Sequence, residues 1–255
     1  MVHPWQFVFD PAWIVGLVVI AVDYVVVVRA YERRGLPVSN LRRWAFAAAI
    51  AVTALALFSP IEHLALHSML SFHLLQNVMI ADWAPPLLIL GLLPPMVLAV
   101  DRLRIVRRLA QPAVAMLLWL VAWYAIHVPV VYDYALEHRW ALGVEHLVFI
   151  VTGLVFWWAE IVPGYLSPSR RVIYLFIALV VMMPLDFFIA LYPSPLYSFY
   201  EHTPKLGGLS ALADQQIAGV AMAIESNVVL LTVIAFALMR LLSDEPATDG
   251  PADVA

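Results

Sequence analysis

The sequence predicts an all-α polytopic membrane protein, a seven-transmembrane-helix bundle with its N-terminus outside and its C-terminus in the cytoplasm. Three observations predict it. Hydrophobic residues fill 64% of the 255 positions and charged residues only 13%, against roughly 45–50% and about 25% in an average soluble domain. Mean hydropathy is +0.90, more apolar surface than a soluble fold of this size can hide, whereas a bilayer solvates it directly. The basic residues cluster in loops between apolar stretches, each long enough to cross the hydrocarbon core.

The spans follow in order. The first, 12–29, ends at Arg29. The second, 42–58, starts at Arg42-Arg43 and is stopped by Ser59-Pro60. A stretch with an amphipathic lead-in at 62–70 and a span at 70–100 comes next, interrupted by Asp82, Pro85-Pro86 and Pro94-Pro95. Further spans cover 112–128, 143–159, 172–190 and 214–240. Segment 62–100 is either one kinked crossing or a pair of short ones, and loop charge decides. With one crossing, Arg29, Arg33, Arg34, Arg42, Arg43, Arg102, Arg104, Arg107, Arg108, Arg170, Arg171 and Arg240 share one side, and only Arg139 and Lys205 lie opposite. The positive-inside rule makes that side cytoplasmic. One transmembrane domain thus covers 1–242, and the polar tail 243–255 is expected to be disordered in the cytoplasm. The opening Met1-Val2-His3-Pro4-Trp5 lacks a basic n-region and a small-residue cleavage site, so no removable signal peptide is expected.

The chain contains no cysteine, which excludes disulfides, thiolate metal sites, Cys nucleophiles and iron–sulfur clusters. No HExxH or GxSxG pattern is present, which argues against a hydrolase, and no catalytic role is expected. The histidines carry the stronger signal. In the predicted topology His3, His63, His67, His73, His127, His138, His146 and His202 all fall towards the outer face. Single histidines at interfaces are ordinary, but imidazole is also the commonest metal ligand and acts best in clusters. His63 and His67, at i and i+4, share one helical face, while Glu62, Met69, His73, Gln76 and Asn77 form a polar stripe on another. Such a stripe must face protein or water. His127 ends the fourth span and Glu145-His146 opens the fifth, with Tyr132, Asp133 and His138 in the turn between. Glu145 is suited to orienting a ligating histidine. In the seventh span Gln215, Gly219, Met222 and Ser226 share a face, and Asp214 and Glu225 a neighbouring one. Gly219 permits close helix approach. Met222 is a soft ligand candidate, although a lone Met more often packs. Imidazole plus thioether without thiolate suits copper better than zinc, magnesium or calcium. Asp23, Asp186 and Glu225 lie well inside spans, where an ionisable group costs about 2.5–3.5 kcal/mol, so interior placement is expected.

Three segments carry a family resemblance. Ser71-Phe72-His73-Leu74-Leu75-Gln76-Asn77, followed by Ala84-Pro85-Pro86-Leu87-Leu88-Ile89-Leu90-Gly91, is the first. The second runs from Trp123 through His127, Pro129, Tyr132-Asp133 and Ala135-Leu136 to Glu145-His146 and Phe156-Trp157-Trp158. The third is Asp214-Gln215-Gln216-Ile217-Ala218-Gly219 with Met222. Together, across 5–240, the chain resembles the CtaG proteins of caa3-type cytochrome c oxidase assembly. The resemblance implies a multi-pass protein of the bacterial inner membrane that helps to mature haem–copper oxidases by copper delivery or metal-centre assembly. It implies oxidase subunits and a periplasmic copper donor as partners, with no nucleic acid. Carried over residue by residue, it points to His73, His127, His146, Asp214, Gln215 and Met222, and more loosely to His138. The sequence departs from the family pattern at Asn77, where a second histidine is expected, and after Met222 at Ala223-Ile224-Glu225-Ser226-Asn227. His63, His67 or Met69 would have to supply the missing donor.

The expectation is therefore an assembly factor with a shallow outer cup in which His73, His127, His146 and Met222 hold copper(I). Two other functions remain open at this point. One is a haem b protein with paired axial histidines. The other is an ion- or proton-coupled transporter that uses Asp23, Asp186 and Glu225.

Overall fold

The computed structural model describes residues 5–243, so His3 and the tail lie outside the described residues. Every regular element among the described residues is helical. Proline and polar caps mark many of the starts. Asp10 accepts from the Ala12 amide at 2.9 Å, with Pro11 next, and opens α1 (Pro11–Arg33). Ser39 caps α2 (Asn40–Phe58), and Ser59-Pro60 both ends α2 and starts α3 (Pro60–His67). The third crossing is built from α4 (Leu70–Val78), a π-helical turn (Met79–Trp83) and α5 (Ala84–Gly91).

Two short helices, α6 (Pro94–Asp101) and α7 (Arg104–Leu109), lead to α8 (Pro112–Ile126). The chain bends by 75° after α8 into α9 (Pro129–Glu137). Then follow α10 (Arg139–Ile161), α11 (Pro168–Leu191), the single turn α12 (Ser198–Glu201) and α13 (Ala211–Ser243). Among the described residues, six helical units are long and apolar enough to cross a membrane, and there are seven if α8 and the bent α9 count as one.

The spans differ from the sequence expectation in three places. The apolar stretch expected to reach 100 stops at Gly91, because Leu92 and Leu93 are extended and Pro94-Pro95 starts a new helix. The lead-in is a separate helix, since Ser68 and Met69 leave helical geometry between α3 and α4. Asp23, expected in the interior, is exposed on α1, whose buried residues are only Tyr24 and Val28. The physical reason is that α1 packs at the edge of the bundle, so most of its circumference meets the surroundings.

Small residues and aromatics hold the interior together. A Cβ on Gly153 of α10 would lie 2.2 Å from the Ala81 carbonyl oxygen in the π turn, so the helices touch backbone to backbone there. Gly219 of α13 does the same against Ala190 of α11, where a Cβ would meet the Ala190 nitrogen at 2.5 Å. Between these contacts Trp119 stacks on Phe156 with ring centroids 4.5 Å apart, and Phe156 on Tyr174 at 4.9 Å.

The alternating course of the helices sorts charge by face. His63, His67, His73, His127, His138, His146 and His202 lie towards one end of the bundle, and the arginines at 29–43, 102–108 and 170–171 lie at the other.

Candidate functional site

At the histidine end, α4, α8 and α10 bring His73, His127 and His146 into one buried cluster around Tyr132. The His73 ring centroid is 5.0 Å from that of Tyr132 and 6.3 Å from that of His146; His127 is 5.5 Å from Tyr132. The three imidazoles are at most 4% exposed. A shallow open cup was expected, and the site is instead closed over.

The hydrogen bonds define what each ring offers. His127 Nδ1 lies 2.8 Å from the Trp123 carbonyl, which accepts only, so Nδ1 carries the proton and Nε2 keeps a lone pair. Neither His127 Nε2 nor His146 Nε2 has a partner. Tyr200 donates its hydroxyl to the Ala65 carbonyl at 2.6 Å and so accepts from His73 Nδ1 at 3.0 Å. His73 Nε2 faces Glu145 Oε1 at 3.2 Å, an ion pair when the ring is doubly protonated. Asn77 donates to the same carboxylate oxygen at 3.1 Å. The amide at the family's histidine position thus holds Glu145 in place.

The connection between α11 and α13 packs against this cluster. Tyr197 donates to the His127 carbonyl at 3.2 Å and stacks against Tyr132 at 4.4 Å. Asp133 pins the segment by accepting from the Ser198 amide at 2.9 Å and the Ser198 hydroxyl at 2.7 Å. Ser68 donates to the Pro204 carbonyl at 2.6 Å, and Lys205 Nζ donates to Thr203 Oγ1 at 2.6 Å. Gly207 and Gly208 both take left-handed backbone angles, φ 64° and 72°, which turn the chain back towards α13. Burial, and then the Asp133 and Glu145 carboxylates, raise the Tyr197 hydroxyl above the usual phenol range. Burial followed by Glu145 does the same for Tyr200. Both phenols therefore remain neutral donors. Burial lowers the Lys205 ammonium, and Asp214 opposes that shift.

Several sequence candidates have other work. Asp214 accepts from the Leu70 amide at 2.7 Å and the Ser71 amide at 3.3 Å, capping α4, whose own N-cap, Met69, has no polar side chain. Gln215 accepts from the Leu196 amide at 2.6 Å and donates to the Ile189 and Ser194 carbonyls, each at 3.2 Å. Buried Met222 lies eight residues beyond Asp214, about 12 Å along the helix, and so sits deeper than His73. His63 and His67 stack on each other at 4.6 Å on the outer side of α3. His138 stacks on Tyr134 at 4.1 Å, and His202 turns back to the Ser198 carbonyl.

Met69 is buried at the break before α4. Among the described residues, no three His, Cys, Asp or Glu side chains are arranged to hold a metal ion as they stand. The unpaired nitrogens suit a soft metal, but they do not converge on one point in this conformation. Sequence reasoning missed Tyr197 and Tyr200, which no local spacing connects to His127 and His73, 70 and 127 residues earlier.

With this geometry in view, the comparisons are specific. The family model of the cytochrome c oxidase caa3 assembly factor, Caa3_CtaG, matches residues 22–244. The chain belongs to that family. The match spans all three signature segments and takes in His73, His127, His146 and Glu145. No curated protein and no solved structure matches the chain. As a member of the family, this CtaG protein is a membrane-embedded cytochrome c oxidase assembly factor.

Proposed function

We propose that this CtaG protein aids copper delivery or metal-centre maturation in cytochrome c oxidase, working from the periplasmic side of the bacterial inner membrane. The observation that carries the proposal is the buried meeting of His73, His127 and His146, the last two with unpaired Nε2 atoms, at the end of the bundle opposite the arginines. Copper(I) is the cargo, and imidazole nitrogens without thiolates suit it. Glu145, 3.2 Å from His73 Nε2, fixes the position of that ring beside the other two imidazoles. The oxidase subunits receive the metal, and a periplasmic donor supplies it.

Anaerobic copper(I) titration of the detergent-purified chain tests the proposal. Wild type is expected to bind copper and His73→Ala with His146→Ala to lose it, with oxidase activity of the host membranes falling in parallel. Unchanged copper content and unchanged oxidase activity in the double variant would refute the ligand assignment.

A further inference from the structure

Asp186 is buried on α11 and Glu225 half-buried on α13, both within the spans. A separate feature lies at the arginine end of the bundle. There the first turns of α2, the end of α5, Val97 of α6 and the end of α10 surround a cavity of about 710 Å³, within the roughly 300–1,000 Å³ of ordinary ligand pockets. Most of its lining is apolar, and Ala45 and Ala48 of α2 are too small to fill it. Leu41, Trp44 and Leu90 on its rim are each at least half exposed, so the cavity is a groove that opens sideways to the bilayer.

Its polar groups gather at one edge. Ser39 and Arg42 line the groove together, and the Ser39 hydroxyl accepts from the Arg42 amide at 3.4 Å. Arg42 is half-buried, and its Nη1 donates to the Leu90 carbonyl at 3.3 Å and to the Leu92 carbonyl at the end of α5. Its charge is thus met by backbone dipoles, whereas neighbouring Arg43 is paired with Glu32 of α1. The first turn of α2 holds these two arginines and no acidic residue. A helix start is itself electropositive, so positive potential collects at this edge. Nη1 occupies one side of the guanidinium fork, and the other side suits a phosphate.

We propose that this groove binds one anionic phospholipid, with its phosphate on Arg42 and Ser39 and an acyl chain against Ala45, Ala48 and Leu87. Apolar walls open to the bilayer, joined to a cationic edge at the depth of the headgroups, match such a lipid in both shape and charge. A zwitterionic headgroup brings its own cation beside the guanidinium and fits less well. A partner's apolar helix could cover the walls but would leave the charge of Arg42 uncompensated. The bound lipid ties the start of α2 to the ends of α5 and α10. The site lies at the opposite end from the imidazole cluster and does not depend on copper.

The test is native mass spectrometry of the detergent-purified full chain, titrated with phosphatidylglycerol or with phosphatidylcholine of the same acyl chains. Wild type is expected to bind one phosphatidylglycerol about fivefold more tightly than phosphatidylcholine, the share of one arginine beside an anionic headgroup. Arg42→Ala is expected to bind the two equally. Arg108→Ala, which removes an exposed arginine of the same end outside the groove, is expected to keep the preference. Ala48→Phe fills the groove and is expected to weaken both lipids. Equal affinities in wild type, a preference that survives Arg42→Ala or is lost in Arg108→Ala, or indifference to Ala48→Phe would overturn the proposal. So would lipid-free dimers as the sole species, with a second copy covering the groove. Should the variants fail to fold, a photoactivatable phosphatidylglycerol on the wild-type chain decides: crosslinks within 39–48 and 87–97 support the site, and crosslinks confined to other segments refute it.

Discussion

At the scale of single residues, Tyr200 and Glu145 organise the site by holding His73 from either side of its ring. Tyr200→Phe removes a hydroxyl that bonds both the Ala65 carbonyl and His73 Nδ1. It is expected to cost about 1–3 kcal/mol of stability, since the buried imidazole loses its partner, measured as a lowered denaturation midpoint in detergent. Glu145→Gln keeps the shape and removes the charge, and is expected to weaken copper binding by roughly 10–100-fold in the same titration that tests the imidazoles. The histidines themselves were legible in the sequence, since residue type and span ends sorted them to one face. Their partners were not. Asp214 and Gln215 looked like intramembrane functional groups, yet they satisfy backbone atoms of α4 and of the chain after α11. A polar residue in an apolar span signals that something needs it, not what.

At the scale of elements, close backbone contacts fix where the carboxyl-bearing π turn lies. Gly153→Ala places a methyl 2.2 Å from the Ala81 carbonyl oxygen, backbone that cannot rotate away. A loss of about 1–3 kcal/mol or more is expected, seen in equilibrium unfolding, with the same sense for Gly219→Ala against Ala190. The opposite end of the bundle is clasped by Asp101. It accepts from Tyr165, from the Trp158 indole at 3.3 Å and from Arg107 at 3.4 Å. The Tyr165 hydroxyl is the chief cause that holds Asp101 below the usual carboxylate range, against its own burial; Trp158 and Arg107 add to the effect. A depressed carboxylate contributes stability that is whole above its unfolded value, about 3.9, and is lost as pH falls through the lower folded value. Asp101→Asn is therefore expected to lower the thermal midpoint at neutral pH and to flatten its decline in acid. The all-helical, strongly apolar character was readable from hydropathy; the breaks at Ser68 and Gly91 and the π turn were less so. Proline marked where helices begin, but the place where one ended depended on tertiary packing against α2 and α10.

At the scale of the whole molecule, seven described histidines and the arginine loops occupy opposite ends, so sidedness becomes a direct measurement. The chain contains no cysteine, and single substitutions suffice. In intact cells an impermeant maleimide is expected to label His67→Cys, and Arg108→Cys only after permeabilisation. Labelling of both from outside would defeat the periplasmic assignment of the imidazole end. This two-face arrangement was the most legible feature of all, because it follows from counting crossings and charges. What lay hidden was closure. The segment between α11 and α13 reads as an ordinary loop, yet its tyrosines seal the cluster through contacts made only in three dimensions. Closure carries a kinetic corollary. On the proposed copper role, an incoming ion would meet phenol rings before any nitrogen, and capture would wait for the α11–α13 segment to lift. Uptake should then follow a first-order step whose rate saturates as copper is raised, and Asp133→Ala, by loosening the latch at Ser198, should raise that ceiling.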